Sequence, residues 1–284
     1  AWELAVWYSN MLNEKGAQRS LDLLKIVSEN ESDLVKLKEI TIMKAENLSI
    51  LNKTEEAKSI IDKMLKKSLH PDLFLARANT EKSIDERLVW INKVFDYYQI
   101  NKVSLINKET ENLYNQLYNN QITSSKEIMD NQKVTVIIPV YNAEKVIRTT
   151  LNSVINQTWK NLEIVVVDDC STDDTYTIVS EYEKKDDRIK LLQTPQNSGA
   201  YVARNIALKI ATGEFVTIND ADDWSHNEKI ETQVLHLINN PKYIGNTSQQ
   251  VRTTEQLTFY RRGKPGLYIF SNMSSFMFRR KEVF

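Results

Sequence analysis

The sequence predicts an α/β fold, a mostly parallel sheet flanked by helices, preceded by an all-α domain of helical hairpins. Three observations lead there. Residues 1–100 hold one glycine (Gly16) and one proline (Pro71), with apolar residues at helical spacing. Residues 101–132 turn polar, with Asn, Gln, Ser and Lys dominant. From Lys133 on, short β-branched runs alternate with helical stripes, the pattern of a parallel sheet with right-handed crossovers.

In the first region Leu21, Leu24 and Val27, and later Ile60, Ile61, Met64 and Leu65, mark helix faces. Breaks fall at Asn13–Gly16, Leu51–Thr54 and Ser68–Pro71. Ile61-Asp-Lys-Met64 returns as Ile91-Asn-Lys-Val94, and Leu51–Ala57 reads as the turn of a tetratricopeptide-type hairpin. A plain helical bundle explains the same periodicity. Residues 101–132 read as a polar linker with a helical part around Leu113 and Leu117.

The domain expected at 133–284 opens with Val134–Val140, a buried strand. A helix follows on Val146, Ile147, Leu151, Val154 and Ile155, then strand Glu163–Val167 ending at Asp168-Asp169. Ser171-Thr-Asp-Asp174 has the look of a capping box. Ile189–Gln193 is a third strand, Gly199–Ala211 a helix closed by Gly213, and Phe215–Ile218 a fourth strand running into Asn219-Asp220. Ser225–Glu228 caps another helix, and strands are expected at Leu257–Tyr260, Leu267–Phe270 and Phe276–Phe278.

Net charge is −1, so no global field draws nucleic acid or an anionic membrane, and no basic stripe with interleaved aromatics suggests nucleic acid. The single cysteine, Cys170, fits a reducing, cytoplasmic setting. No signal peptide and no membrane-spanning run stands out, so a membrane-bound acceptor would be met from the surface, peripherally at the inner face. The chain starts at Ala1 and stops at Phe284 without a polar tail, and both ends read as cuts.

Four clusters at the expected strand ends can carry chemistry, since ligands of such sheets bind beyond the carboxyl ends of the strands. Asp220-Ala-Asp-Asp223 places three carboxylates in four residues; a hard divalent cation fits, and so does solvated surface. Asp168-Asp169 can accept from a base N–H or a ribose hydroxyl, or cap a helix. Pro139-Val-Tyr-Asn142 offers the Tyr141 ring for stacking a nucleobase, or a rim tyrosine. Asn197-Ser-Gly199 allows an anion to approach a helix start, with Arg204 able to reach a phosphate or to pair with a strand-end aspartate. His70, His226 and His236 have no metal-ligand spacing, and neither a Walker-type loop nor a dinucleotide fingerprint follows the first strand.

Taken in order, Val136-Ile-Ile-Pro-Val-Tyr-Asn142, Ser153-Val-Ile-Asn-Gln-Thr158, Glu163-Ile-Val-Val-Val-Asp-Asp169, Asn197-Ser-Gly199, Ala203-Arg-Asn205, Gly213-Glu-Phe215 and Asp220-Ala-Asp-Asp-Trp224 resemble family 2 of the inverting glycosyltransferases, with the GT-A fold. The resemblance spans Val134 to about Asn240 and leaves residues 1–132 uncovered. It implies a metal-dependent, hexosyltransferase-like enzyme (EC 2.4) that moves a sugar from a nucleotide-sugar donor, usually a UDP-sugar, to a hydroxyl of a glycan or polymer acceptor with inversion. Cell-surface polysaccharide or teichoic-acid-like polymer synthesis is the setting it suggests. Pro139, Tyr141 and Asn142 would line the nucleotide pocket, Asp169 would accept from the base, and Asn197, Gly199 and Arg204 would lie toward the pyrophosphate. Asp220 would contact ribose or the metal shell, and Asp222 would coordinate Mn²⁺ or Mg²⁺. Asn227 stands where the family often has proline. The family's general base lies well downstream of the metal motif, so it is expected beyond Phe284, with the domain truncated on its acceptor side. The rival expectation is a non-catalytic scaffold, with residues 1–100 docking a protein partner beside a degenerate transferase domain.

Overall fold

A computed structural model describes residues 1–119 and 132–282; residues 120–131 of the expected linker fall outside that range. The chain runs α1 (Trp2–Ser9), α2 (Glu14–Ser28), α3 (Leu34–Ile50), α4 (Thr54–Leu65), α5 (Pro71–Asn79), α6 (Ile84–Tyr98), β1 (Val103–Leu105) and β2 (Leu117–Asn119). It continues with β3 (Val134–Val140), α7 (Ile147–Ile155), β4 (Leu162–Asp168), α8 (Thr175–Glu183), β5 (Ile189–Gln193), α9 (Ala200–Ile210), β6 (Phe215–Ile218) and α10 (Lys229–Asn239). Last come β7 (Gly245–Gln250), β8 (Arg252–Thr253), β9 (Phe259–Tyr260) and β10 (Phe270–Arg279). Two compact units emerge, Ala1–Tyr114 with Gln250–Phe270, and Asn115–Gln249 with the chain from Ser271 on. The boundaries expected near 100 and 132 therefore differ from the spatial ones, because residues 250–270 fold with the helices.

In the first unit α1 packs with α2, α3 with α4 and α5 with α6. Side chains cap the helix starts where the breaks were expected. Asn13 accepts from Gly16 N–H, and His70 from Asp72 N–H, with Pro71 in the first turn. Asn52 takes the left-handed conformation (φ 60°) between α3 and α4, so an asparagine serves where a glycine would be usual. Ala5, Leu24, Ile40 and Met43 form one buried cluster. Leu267–Ile269, expected as strand, has no ladder; the Tyr268 and Ile269 N–H groups donate instead to the Asp72 carboxylate at 2.9 Å each.

In the second unit the main sheet has the order β5-β4-β3-β6-β10-β7. The β3–β4, β3–β6 and β4–β5 pairs are parallel and β10 runs antiparallel to β6, so this is the mostly parallel, helix-flanked α/β fold expected. Every residue of β3 and β4 is buried. Alternation explains this: Val134, Val136, Ile138 and Val140 cluster with α7, α8 and α10, while Ile137, Val165 and Val167 cluster with Ala203 and Ala207 of α9. Gly213 does not end α9 in a left-handed cap; a Cβ there would stand 2.5 Å from Thr135 N, so it permits close approach to β3. The α8 start is capped by Asp173, which accepts from Thr175 N–H, rather than by a capping box. Ahead of α10 the Asn227 N–H donates to Asn119 Oδ1 at 2.9 Å, a bond that proline could not make. No helix among the described residues is long and apolar enough to cross a membrane.

Candidate functional site

The loops that follow β3, β4 and β6 leave three neighbouring strands at one edge of the sheet. Asp169 N–H donates to Val140 C=O at 2.8 Å, and Asn219 N–H to Ile137 C=O at 2.9 Å, which ties the three strand ends together. Every cluster singled out from the sequence sits on these loops or at the start of α9.

Tyr141 is 47% exposed, two residues after the buried Pro139. Asn142 has φ +48°, a conformation that asparagine tolerates. Its N–H donates to Ser171 Oγ at 3.0 Å and its Oδ1 accepts from Thr172 N–H at 2.8 Å. Asn142 thus binds the β3 loop to the β4 loop, with Tyr141 beside the splice.

Asp169 is 3% exposed and heavily hydrogen-bonded. It accepts from Thr194 Oγ1 at 2.8 Å, from Ser198 N–H at 3.0 Å and from Gly199 N–H at 2.6 Å. Burial pushes its pKa up, but the bonds from Ser198, Thr194 and Gly199 outweigh it and hold the carboxyl below the usual range. The Ser198 and Gly199 N–H groups of that turn thus already hold one anion, the Asp169 carboxylate. A direct bond from Asp169 to a base would compete with these three donors, so its structural effect is to fix the turn that begins α9. Gly199 (φ +89°) has nothing within 4 Å of where a Cβ would lie, and Asn197 and Ser198 are exposed beside it.

Arg204, more than a turn into α9, donates through Nη2 to Asp220 Oδ1 at 2.7 Å. Its Nε is buried and has no hydrogen-bond partner, so the guanidinium retains an unused donor. Of the two readings of Arg204, the pairing with a strand-end aspartate is the one seen. Asp222 is exposed. Asp223 folds the loop back, its N–H donating to Asp220 C=O at 3.1 Å and its C=O accepting from Asn219 Nδ2 at 3.1 Å.

Lys229 escaped sequence reasoning. Its ammonium donates to Asn219 Oδ1 and Ser225 Oγ at 3.1 Å each. Burial pushes its pKa down to about 8, against the attraction of Asp223 and Asp220. A lysine in the first turn of a helix opposes the helix dipole, and that misfit beside an acidic strand end was the available signal.

Carboxylate oxygens on a tight loop suit a hard cation such as Mg²⁺ or Mn²⁺. Among the described residues no three His, Cys, Asp or Glu side chains converge into a metal cage. An ion held by Asp222 and Asp220 would take its remaining ligands from phosphate and water, the usual arrangement for Mg²⁺.

Comparison with known proteins bears on this site. The putative teichuronic acid biosynthesis glycosyltransferase TuaG of Bacillus subtilis (strain 168) is 46% identical over 101 residues, which cover 36% of this chain and 40% of TuaG. The UDP-Glc:alpha-D-GlcNAc-diphosphoundecaprenol beta-1,3-glucosyltransferase WfgD of Escherichia coli is 44% identical over 113 residues, 39% of this chain and 44% of WfgD. The chain thus spans less than half the length of these curated relatives. Among solved structures, S. aureus TarS 1-349 in complex with UDP is 31% identical, with a TM-score of 0.41, over 52% of this chain and 47% of that one. The family model described as glycosyl transferase family 2 matches residues 135–282, the stretch that holds all three strand-end loops, and the chain belongs to that family.

Proposed function

We propose that the protein transfers a sugar from a nucleotide sugar, a UDP-sugar by preference, to a hydroxyl of a cell-surface glycan or related polymer, with inversion and with a divalent cation at Asp222. The observation that carries this reading is the place of Asp222, exposed just past the end of β6 at the carboxyl edge of a parallel sheet, where a ligand binds. Family membership and the donor and linkage in the names of the relatives support it.

On this reading Tyr141 stacks on the base and Pro139 backs it. Arg204, anchored by Asp220, would lie toward the diphosphate. The turn Asn197–Gly199, locked by Asp169, sets where the diphosphate runs along the start of α9. Asp222, with Asp220 behind it, would hold Mn²⁺ or Mg²⁺, whose chemistry is to stabilise charge on the departing diphosphate. Lys229 limits repulsion between Asp220 and Asp223 and keeps the loop compact. A cytoplasmic setting and a tetratricopeptide-like character for the helical hairpins belong to the same proposal. Calorimetric titration of UDP with and without Mn²⁺ tests it. Binding is expected to require the metal and to be lost in Asp222→Ala; tight, metal-independent binding unchanged in that variant would refute it.

A further inference from the structure

Residues 251–269 leave the sheet after β7 and rejoin it at β10. In between they are gripped by side chains of the helical unit in the way a peptide is gripped. Asn79, at the end of α5, accepts from Phe259 N–H and donates to Phe259 C=O, both at 2.8 Å, the exchange that a neighbouring strand would offer. Asp72, in the first turn of α5, accepts from the N–H groups of Tyr268 and Ile269. Arg87 of α6 donates to Gln256 C=O at 2.6 Å. Side chains add identity to these main-chain bonds. Glu46 of α3 accepts from the Tyr268 hydroxyl at 2.9 Å and pairs with Arg261 at 2.7 Å. Leu257, Phe259 and Tyr268 are buried. A Cβ on Gly266 (φ +67°) would stand 2.4 Å from Glu39 Cα, so the backbone passes against α3 where only glycine fits.

This division of labour, main-chain bonds for affinity and buried side chains for specificity, is that of peptide recognition. The face is also costly to leave empty. Asp72 is 1% exposed, and without Tyr268 and Ile269 one of its oxygens would lose both of its N–H donors. We infer that this face of the helical hairpins is a peptide-binding face closed in cis by residues 252–269, so that the helices clamp the excursion between β7 and β10 and are not open there to a second protein. The inference stands apart from the transferase reading, since it invokes none of the strand-end residues.

Hydrogen exchange on the full chain tests it. The Phe259, Tyr268 and Ile269 amides should exchange slowly in the wild type. Asn79→Ala should speed exchange across 252–269 by about tenfold or more while β3 and β4 keep wild-type protection. In a second arm, residues 252–269 are replaced by a Gly/Ser linker of the same length, which empties the face, and a fluorescein-labelled peptide of residues 252–269 should bind that variant and not the wild type. Unprotected amides in the wild type, or no change in Asn79→Ala, would overturn the inference. So would a peptide that binds wild type and emptied variant alike, or one that fails to bind an emptied variant folded by circular dichroism. If the linker variant does not fold, the exchange arm alone decides.

Discussion

Glu163 and Asp222 are carboxylates of one sheet, Glu163 at the start of β4 and Asp222 just past the end of β6, and they are treated in opposite ways. Glu163 is 5% exposed and accepts from Lys190 at 2.7 Å, Thr135 Oγ1 at 2.7 Å, Thr212 N–H at 2.8 Å and Thr212 Oγ1 at 3.0 Å. Burial pushes its pKa up, yet these donors, Lys190 foremost, bring it down to about 2. Asp222 is exposed, on a loop crowded with two further carboxylates. On the proposed function, a carboxylate that serves the fold is buried among protein donors, and one that serves a ligand is presented to solvent. Asp169 belongs to the first kind, although its place at a strand end suggested the second.

The comparison breaks most sharply if Asp222 proves dispensable. Asp222→Asn should lower sugar transfer, or donor hydrolysis where no acceptor is supplied, by ~10²–10³-fold, and should abolish the Mn²⁺ dependence of UDP binding. Its urea midpoint should stay at the wild-type value. A variant that unfolds earlier and keeps its activity would put Asp222 in the structural class.

Glu163→Gln should do the reverse, costing about 2–3 kcal/mol in urea unfolding at pH 7 while UDP affinity holds. The pH dependence sharpens this. The folded pKa lies below the unfolded one, so the stabilisation is full above about pH 4.5 and is lost as pH falls toward about 2. Between those limits the wild type should lose stability more steeply than Glu163→Gln, and parallel acid limbs would show that Glu163 is not so held.

The transferase half was largely legible for a physical reason. β3 and β4 are buried on both faces, and such strands read as unbroken β-branched runs whatever surrounds them. β7 was invisible because Gly245–Gln250 has a single β-branched residue, Thr247, and no apolar one. Its pairing is polar, with Ser248 donating to Ser275 Oγ and Asn246 exchanging hydrogen bonds with Gln233. β10 was seen only at Phe276–Phe278, since Ser271–Ser275 contribute the same polar chemistry. The excursion was misread because Leu267–Ile269 has strand-like residues whose N–H groups go to Asp72, almost 200 positions away. In the site, the acids and Tyr141 could be found from their place after apolar runs. The saturation of Asp169 could not, for its donors lie 25 to 30 residues on and meet it only in the fold.

Tyr141 gives a smaller effect on the ligand side. Tyr141→Ala should weaken UDP binding about tenfold, within the ~1–3 kcal/mol that stacking of a base on an aromatic ring provides. Phosphate or pyrophosphate binding should be unchanged, because the ring meets only the base. Equal weakening of both ligands would mean that the substitution disturbs the splice made by Asn142 rather than a stacking surface.

The smallest effect is expected from the cation that holds Glu163. Lys190 approaches Glu163 to 2.7 Å, but its side chain is 50% exposed. Water therefore screens its field, and ordering a long side chain offsets part of the gain. Lys190→Ala should cost under ~1 kcal/mol in urea unfolding, less than Glu163→Gln, because the donors from Thr135 and Thr212 stay in place. The carboxylate would then remain buried with three protein donors and no cation, and lowering the ionic strength should change the Lys190→Ala cost by no more than about a few tenths of a kcal/mol. A Lys190→Ala cost that equals the Glu163→Gln cost would show that the ion pair, and not the hydrogen-bond cage, separates the two kinds of carboxylate in this sheet.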